Sequence, residues 1–231
     1  MINSYYIPTR YGRDWTISAN DEIMEDRYKA GEFCEQMMLD WIMKNVTGGG
    51  LWIDAGANIG NHAMVFSTVA DRVIAFEPIA ENHRLLVGNI EYNDIDNVSC
   101  VMLGVGDEEC EMAAVPGGTG KPCQITLQPG EGGIQVTTID RFLTMSEPMP
   151  VRLIKIDVEG MEGKAIIGAL ETINRWKPEL FVEIWEEDQL TRIRAVLATI
   201  GYKLIERWNH APTYHFSASG RYPVTYTAPL T

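Results

Sequence analysis

The sequence has little of what would place a chain outside the ordinary globular class. Cysteine is scarce, with Cys34, Cys100, Cys110 and Cys123 as four in 231 residues and no C-x-x-C pair among them. Neither a disulfide scaffold nor a thiolate metal site is therefore expected, and reduced, buried thiols in a cytoplasmic protein are the default reading. At this length a fold buries roughly 70% of the surface its unfolded chain exposes, so covalent staples are unnecessary. Histidine is equally sparse, at four residues without His-x-x-x-His spacing, and no metal site is read from them. Long apolar runs are missing too. The longest stretch without Asp, Glu, Lys or Arg is Ala55 to Ala70, 16 residues that include Asn58, Asn61 and His62, which does not make a membrane span. The start, Met1-Ile-Asn-Ser-Tyr-Tyr-Ile-Pro8, lacks the basic and apolar regions of a secretion signal. Positive charge is short as well: 19 Lys and Arg against 32 Asp and Glu give a net charge of −13. With no basic patch to reverse it, that balance argues against nucleic acid or an anionic membrane as partner.

What is present is an alternation. From Leu51 to about Trp208, short β-rich apolar runs alternate with helical stretches, the pattern of a parallel sheet covered by helices in an α/β, three-layer fold. The strands read as Leu51 to Ile53, Val73 to Phe76, Val98 to Val105, Val151 to Val158 and Leu180 to Ile184. Helices are expected at about Asn61 to Ala70, Ala80 to Tyr92 and Lys164 to Ile173. A further one carries Leu190, Ile193, Leu197 and Ile200 on one face and stops at Gly201. Tyr202 to Trp208 and Tyr214 to Ser217 look like a closing antiparallel pair. Ahead of the alternation, residues 1 to 50 hold a helix from about Glu32 to Asn45 with Phe33, Met37 and Trp41 on one face and Met38 and Ile42 alongside. This segment is expected to cap the sheet or lid the site, with residues 51 to 231 forming the main domain. Residues 116 to 133 contain six glycines and three prolines, too many breakers for a regular element, so a mobile loop or a wide hairpin is expected there.

The strongest local signal is Asp54-Ala55-Gly56-Ala57-Asn58-Ile59-Gly60, between a strand and the helix opening at Asn61. Such a turn brings a ligand against backbone N–H groups at a helix start. In dinucleotide sites a second glycine lets the chain approach a pyrophosphate, and here Asn58 stands in its place. Asp54 would repel a pyrophosphate but suits a ligand with an ammonium and a sulfonium, as in S-adenosylmethionine. Glu77, followed by Pro78, ends the second strand 23 residues on, where a carboxylate can accept both ribose hydroxyls. Asp107, after the third strand, is positioned to accept from the adenine amino group. The competing explanation is a polar loop rim, since carboxylates at strand ends are common in α/β proteins.

The runs Leu51-Trp-Ile-Asp-Ala-Gly-Ala-Asn-Ile-Gly-Asn-His62, Val73-Ile-Ala-Phe-Glu-Pro78 and Ile154-Lys-Ile-Asp-Val-Glu-Gly160 resemble the FkbM family of S-adenosylmethionine-dependent methyltransferases. The likeness extends from about Gly31 to Phe216 and includes Glu35, Thr138-Ile-Asp140, Gly168 and Pro178 before Phe-Val-Glu183. It implies a class I methyltransferase (Rossmann-like) fold, a seven-stranded sheet with one reversed strand, and methyl transfer to an oxygen, often of a sugar. It also brings Glu35 toward the cofactor pocket. Residues 1 to 25 and the detail of 110 to 135 match no pattern of that family, and acceptor choice is expected to reside in residues 1 to 30 and 110 to 135.

A hydroxyl acceptor needs a positioned base, and reacting groups collect at the C-terminal ends of parallel strands. That places Asp157, Glu159 and Glu183 near one another. Asp157 is the candidate for touching the cofactor's methionine end or the acceptor, and Glu159 is the candidate base. A structural carboxylate bracing the turn is the bland explanation for Glu159, and an ordinary strand-end carboxylate for Glu183. The same three groups suit Mg²⁺ as an alternative, and His62 is a second candidate for orienting substrate. The leading function is thus O-methylation of a small molecule or glycan. A protein or peptide methyltransferase and a non-catalytic S-adenosylmethionine-binding protein are the alternatives, and a dehydrogenase is the weakest.

Overall fold

Alternation of side chains along β-strands decides which face each residue serves. In the strand Leu51–Ala55, Leu51, Ile53 and Ala55 face one side while Trp52 and Asp54 face the other, and all five are buried, as befits a strand covered on both faces. A computed structural model describes residues 2–20, 22–46, 48–116, 125–130, 132–145 and 147–226. It begins with a hairpin, β1 (Asn3–Arg10) and β2 (Arg13–Ala19), then α1 (Glu22–Lys29) and α2 (Gln36–Asn45). The alternation follows as β3 (Leu51–Ala55), α3 (Asn61–Phe66), β4 (Arg72–Phe76), α4 (Ala80–Tyr92) and β5 (Val98–Val101). Next come β6 (Gly104–Val105), β7 (Cys110–Pro116), β8 (Ile125–Pro129), β9 (Ile134–Thr137) and α5 (Ile139–Leu143). The chain continues through β10 (Val151–Ile156), α6 (Glu162–Ile167), α7 (Leu170–Trp176), β11 (Glu179–Glu183), α8 (Glu187–Thr199), β12 (Lys203–Trp208) and β13 (Thr213–Ser217).

Seven of these strands form the main sheet in the order β12-β13-β11-β10-β3-β4-β5. Only β13 runs against its neighbours, pairing antiparallel with β11 and β12, so the expected sheet with one reversed strand is present. One face is packed by Trp52, Phe66, Leu86 and Phe181 together with Trp15, Phe33 and Met38 from the N-terminal segment. The other is packed by Ile53, Ile154, Ile156 and Val182 against Ile166, Ile173, Leu190 and Leu197. Strands β6, β9, β7 and β8 form a second, four-stranded sheet above the C-terminal strand ends.

Several expectations need correction. The helix expected from Glu32 starts at Gln36, because Glu35 adopts a left-handed backbone (φ 58°) that a helix cannot include. Its buried face is Met38, Leu39 and Ile42, while Met37 is 75% exposed. The run Val98 to Val105 is two strands, since the chain leaves the main sheet after Val101 and Gly104–Val105 joins the second sheet. The helix expected over Lys164 to Ile173 breaks at Gly168. A Cβ there would lie 2.0 Å from the Gly106 carbonyl oxygen, so the break lets two backbones touch. Asp140 accepts from the N–H groups of Glu171 and Thr172 (2.9 and 2.8 Å) and caps α7 where it restarts. Of the two readings for residues 116 to 133, the β7–β8 pairing is that of a wide hairpin. Residues 117–124, and Cys123 with them, lie outside the described residues.

Candidate active site

The C-terminal ends of β3, β4 and β10 open into a cleft of about 670 Å³. Gly56, Asn58, Glu77, Pro78, Asp157 and Glu159 line it, so six of the residues singled out in the sequence converge there. Asn82, Leu103, Val105 and Met161 complete its wall.

Glu77 is 5% exposed and holds the glycine turn from below. Its Oε2 accepts from the Asn58 N–H and its Oε1 from the Ile79 N–H, both at 2.9 Å. Burial pushes its carboxyl up to about 6, against the pull of those two N–H groups. Several of the turn's own backbone donors are engaged within the chain. The Gly56 and Ala57 N–H groups both donate to the Phe76 carbonyl (2.9 and 2.8 Å), and Gly60 donates to Ala57. Gly56 is glycine for a backbone reason. At φ +84° an added Cβ would sit 1.7 Å from the Asp157 carbonyl oxygen, so β3 and β10 close on each other at this point.

Behind the cleft lies a buried ionic group that the sequence reading passed over. Lys155, 2% exposed, stands in β10 directly opposite Asp54 of β3. Its Nζ donates to Asp157 Oδ2 at 3.0 Å and lies 4.0 Å from Asp54 Oδ1. Burial alone would lower the Lys155 ammonium, but Asp157, Asp54 and Glu35 outweigh it and raise it above the usual lysine range. Asp54 is 0% exposed, and neither of its oxygens makes a well-formed hydrogen bond among the described residues. Burial raises its carboxyl, with Lys155, His62 and, weakly, the Ala63 amide pulling the other way. The signal in the sequence was a lysine at an inward position between Ile154 and Ile156, where an unpaired cation is not tolerated.

Glu35 enters the same group from the N-terminal segment. Its Oε2 lies 2.9 Å from His62 Nε2, and its Oε1 accepts from Asn209 Nδ2 at 2.6 Å. Burial would raise this carboxyl, yet His62 and Lys155 hold it below the usual range. Glu159 lines the cleft in a left-handed backbone (φ 51°), an uncommon conformation for a residue with a side chain. Burial, followed by Asp157 and Glu162, pushes its carboxyl up to about 7. Glu183 is also raised, by burial and then Asp157, and accepts from the indole N–H of the exposed Trp185 at 2.6 Å.

Ala57 and Gly60 belong to the turn without lining the cleft, and Asn61 and Asp107 fall elsewhere. Asn61 is 2% exposed, with its amide bonded to both backbone groups of Cys34 and to the Tyr28 hydroxyl, so it clamps the N-terminal segment to α3. Asp107 is exposed, 3.4 Å from Lys164 and outside the cleft wall, because the chain has already left the main sheet at Val101. Leu103 and Val105 occupy the wall instead. Among the described residues no group of three or more His, Cys, Asp and Glu side chains converges to hold a metal ion, and no helix is long and apolar enough to cross a membrane.

The sequence profile described as the methyltransferase FkbM domain matches residues 54–204, from Asp54 in β3 to the start of β12. The chain belongs to the FkbM methyltransferase family. It is 27% identical over 174 residues to the hexuronic acid methyltransferase AglP of Haloferax volcanii, covering 71% of this chain and 68% of that protein. A solved methyltransferase FkbM from Methylobacillus flagellatus aligns with a TM-score of 0.56 at 21% identity. That alignment covers 73% of this chain but only 43% of the other, so this chain spans under half the length of that relative. An rRNA methylase from Streptococcus thermophilus aligns with a TM-score of 0.50 at 10% identity, over 78% and 92% of the two chains. These likenesses establish the class I methyltransferase fold. Family membership makes the chain a methyltransferase with S-adenosylmethionine as methyl donor.

Proposed function

We propose that this FkbM methyltransferase methylates a hydroxyl oxygen of a small molecule or sugar. The observation that carries the reading is Glu159, at the cleft wall beside Asp157, with a carboxyl pushed up to about 7. A carboxylate with that affinity for protons is poised to take one from a hydroxyl near neutral pH. The relative from Haloferax volcanii, a hexuronic acid methyltransferase by name, supports a sugar acceptor.

The residues present fit the donor. S-adenosylmethionine supplies an electrophilic methyl group on a sulfonium. Asp54, a fully buried carboxylate without a well-formed hydrogen bond, is suited to an ammonium. Glu77 accepts from two backbone N–H groups and from the Asn82 side chain, and its remaining acceptor capacity is assigned to the two ribose hydroxyls. Gly56, Ala57, Asn58, Gly60 and Pro78 shape the turn around it. Asp157, fixed by Lys155, faces the methionine end, and Glu159 receives the acceptor's proton at a carboxylate oxygen. Glu35 reaches the site through His62, which makes residues 1 to 50 the cap and residues 51 to 231 the donor-binding domain in this reading. Asp107 and Asn61 drop out of the donor set. The test is incubation of the chain with S-adenosylmethionine and a panel of sugars, sugar acids and peptides, read by mass spectrometry for the gain of one methyl. Methylation at a hydroxyl that disappears in Glu159→Gln supports the assignment, and methylation confined to carboxyl groups or peptides overturns it.

A further inference from the structure

Beside the donor cleft lies a second concavity of about 1010 Å³, bounded by the β7–β8 hairpin and helices α6 and α8. The two share Leu127 and Met161 as a common wall, and Gly160, the neighbour of Glu159, lines the second. Its lining is largely apolar, with Met112, Ile166, Ile193 and Val196 beside the shared pair. Methionines suit such a surface because they adapt to ligands of different outline. Two cations, Lys164 and Arg192, also line it. In a chain of net charge −13, that is a local reversal of sign. Asp107 takes part of the Lys164 charge at 3.4 Å. Arg192 is exposed, and among the described residues no ion pair engages it. No carboxylate lines the groove among the described residues, and Glu162, at the start of α6, is buried and accepts from the Gly160 N–H and the Gln189 amide.

We propose that this groove seats the apolar part of an amphipathic acceptor, a small molecule whose alkyl or acyl chain carries an anionic group received by Arg192 and Lys164. The hydroxylated end of the same molecule then lies over Gly160 toward Glu159, which rests on the acceptor chemistry proposed above. Apolar lining and cationic rim each select one half of that ligand. A neutral sugar alone would use neither.

Gly163 provides the test. It lines the groove on α6, and a Cβ added there meets no atom within 4 Å, so Gly163→Leu fills the space without displacing the protein. Calorimetry on the full chain, with hexyl phosphate, octyl phosphate and inorganic phosphate as probes, reads the groove without turnover. Each added methylene is expected to strengthen binding about threefold to fourfold, so octyl phosphate should bind about tenfold tighter than hexyl phosphate. Gly163→Leu should weaken octyl phosphate at least about tenfold and Arg192→Ala by a similar factor, with S-adenosylmethionine affinity unchanged in both. No binding of octyl phosphate, or equal binding by the Gly163→Leu chain, overturns the groove. Binding of inorganic phosphate as tightly as octyl phosphate overturns it too, because the chain would then contribute nothing. A groove that binds alkyl phosphates while no hydroxyl compound is methylated leaves this inference standing and refutes the proposed function. Methylation of a hydroxyl with no alkyl phosphate binding does the reverse.

Discussion

Replacing Glu77 by Ala tests the donor assignment most directly. The two Glu77 oxygens hold the Asn58 and Ile79 N–H groups at 2.9 Å, with the Asn82 side chain as a further partner that a ribose hydroxyl would join or displace. A hydrogen bond to a charged acceptor contributes about 1.5–3 kcal/mol and two on one carboxylate are not additive, so the loss should be about 2–4 kcal/mol. That is about a 30-fold to 1,000-fold rise in the S-adenosylmethionine Kd. pH adds a second signature. The carboxyl is pushed up to about 6, and only its ionised form accepts from both hydroxyls. Wild-type affinity should be full above that value and fall up to about tenfold per pH unit below it. Stability runs the other way. Because folding raises this carboxyl, its ionised form is penalised in the native state, and that penalty is relieved as pH falls from about 6 toward 4.5. Titration calorimetry at several pH values, on wild-type and Glu77→Ala chains with matching circular dichroism, reads both. An Ala variant whose Kd is unchanged, or whose affinity still breaks near pH 6, refutes the ribose assignment.

Glu159→Gln should lower turnover by about 10² to 10⁴ while leaving donor affinity intact, and wild-type turnover should rise as pH passes about 7. Retained turnover with a lowered Tm would mean a bracing role. Turnover lost in EDTA and restored by Mg²⁺ would assign the chemistry to a metal instead. Gly56→Ala should fail as a fold rather than as a binding site, given the 1.7 Å approach to the Asp157 carbonyl. A native Tm with weak binding would contradict that. Lys155→Met should destabilise by about 3–5 kcal/mol, since it strands buried Asp54 and leaves half-buried Asp157 unpaired, and adding Asp157→Asn should recover part of the loss in chemical denaturation. A double variant no more stable than the single one would separate Lys155 from Asp157.

The central strands β3, β4, β10 and β11 were legible because they are buried on both faces and so read as near-continuous apolar runs, each with a carboxylate at its C-terminal end. Asp54, Glu77, Asp157 and Glu159 follow from that rule. The N-terminal hairpin escaped notice although β2 carries the alternation Trp15, Ile17, Ala19, all buried. Its outward residues are polar, and the Tyr11-Gly12 turn, with φ of 51° and 85°, is a less familiar pair than Asn-Gly. Asp107 was misplaced because a continuous apolar run hides the point where a chain changes sheets. No local pattern announces the Glu35, His62 and Asn209 cluster. It joins residues 174 apart, and the left-handed Glu35 that makes it possible looks in sequence like the first turn of a helix.

That long reach has a consequence for how the enzyme comes into being. Glu35 emerges early in synthesis, the sheet centre follows, and Asn209 arrives only once β12 has been made. Contacts so far apart along the chain form late in folding, since loop closure must precede them. A nascent chain stalled before residue 209 would therefore carry most of the sheet but an unfinished anchor for Glu35. Holding the Glu35 carboxylate beside His62 from a residue just after β12 ties the ordering of the N-terminal segment to the closing strand pair of the main sheet.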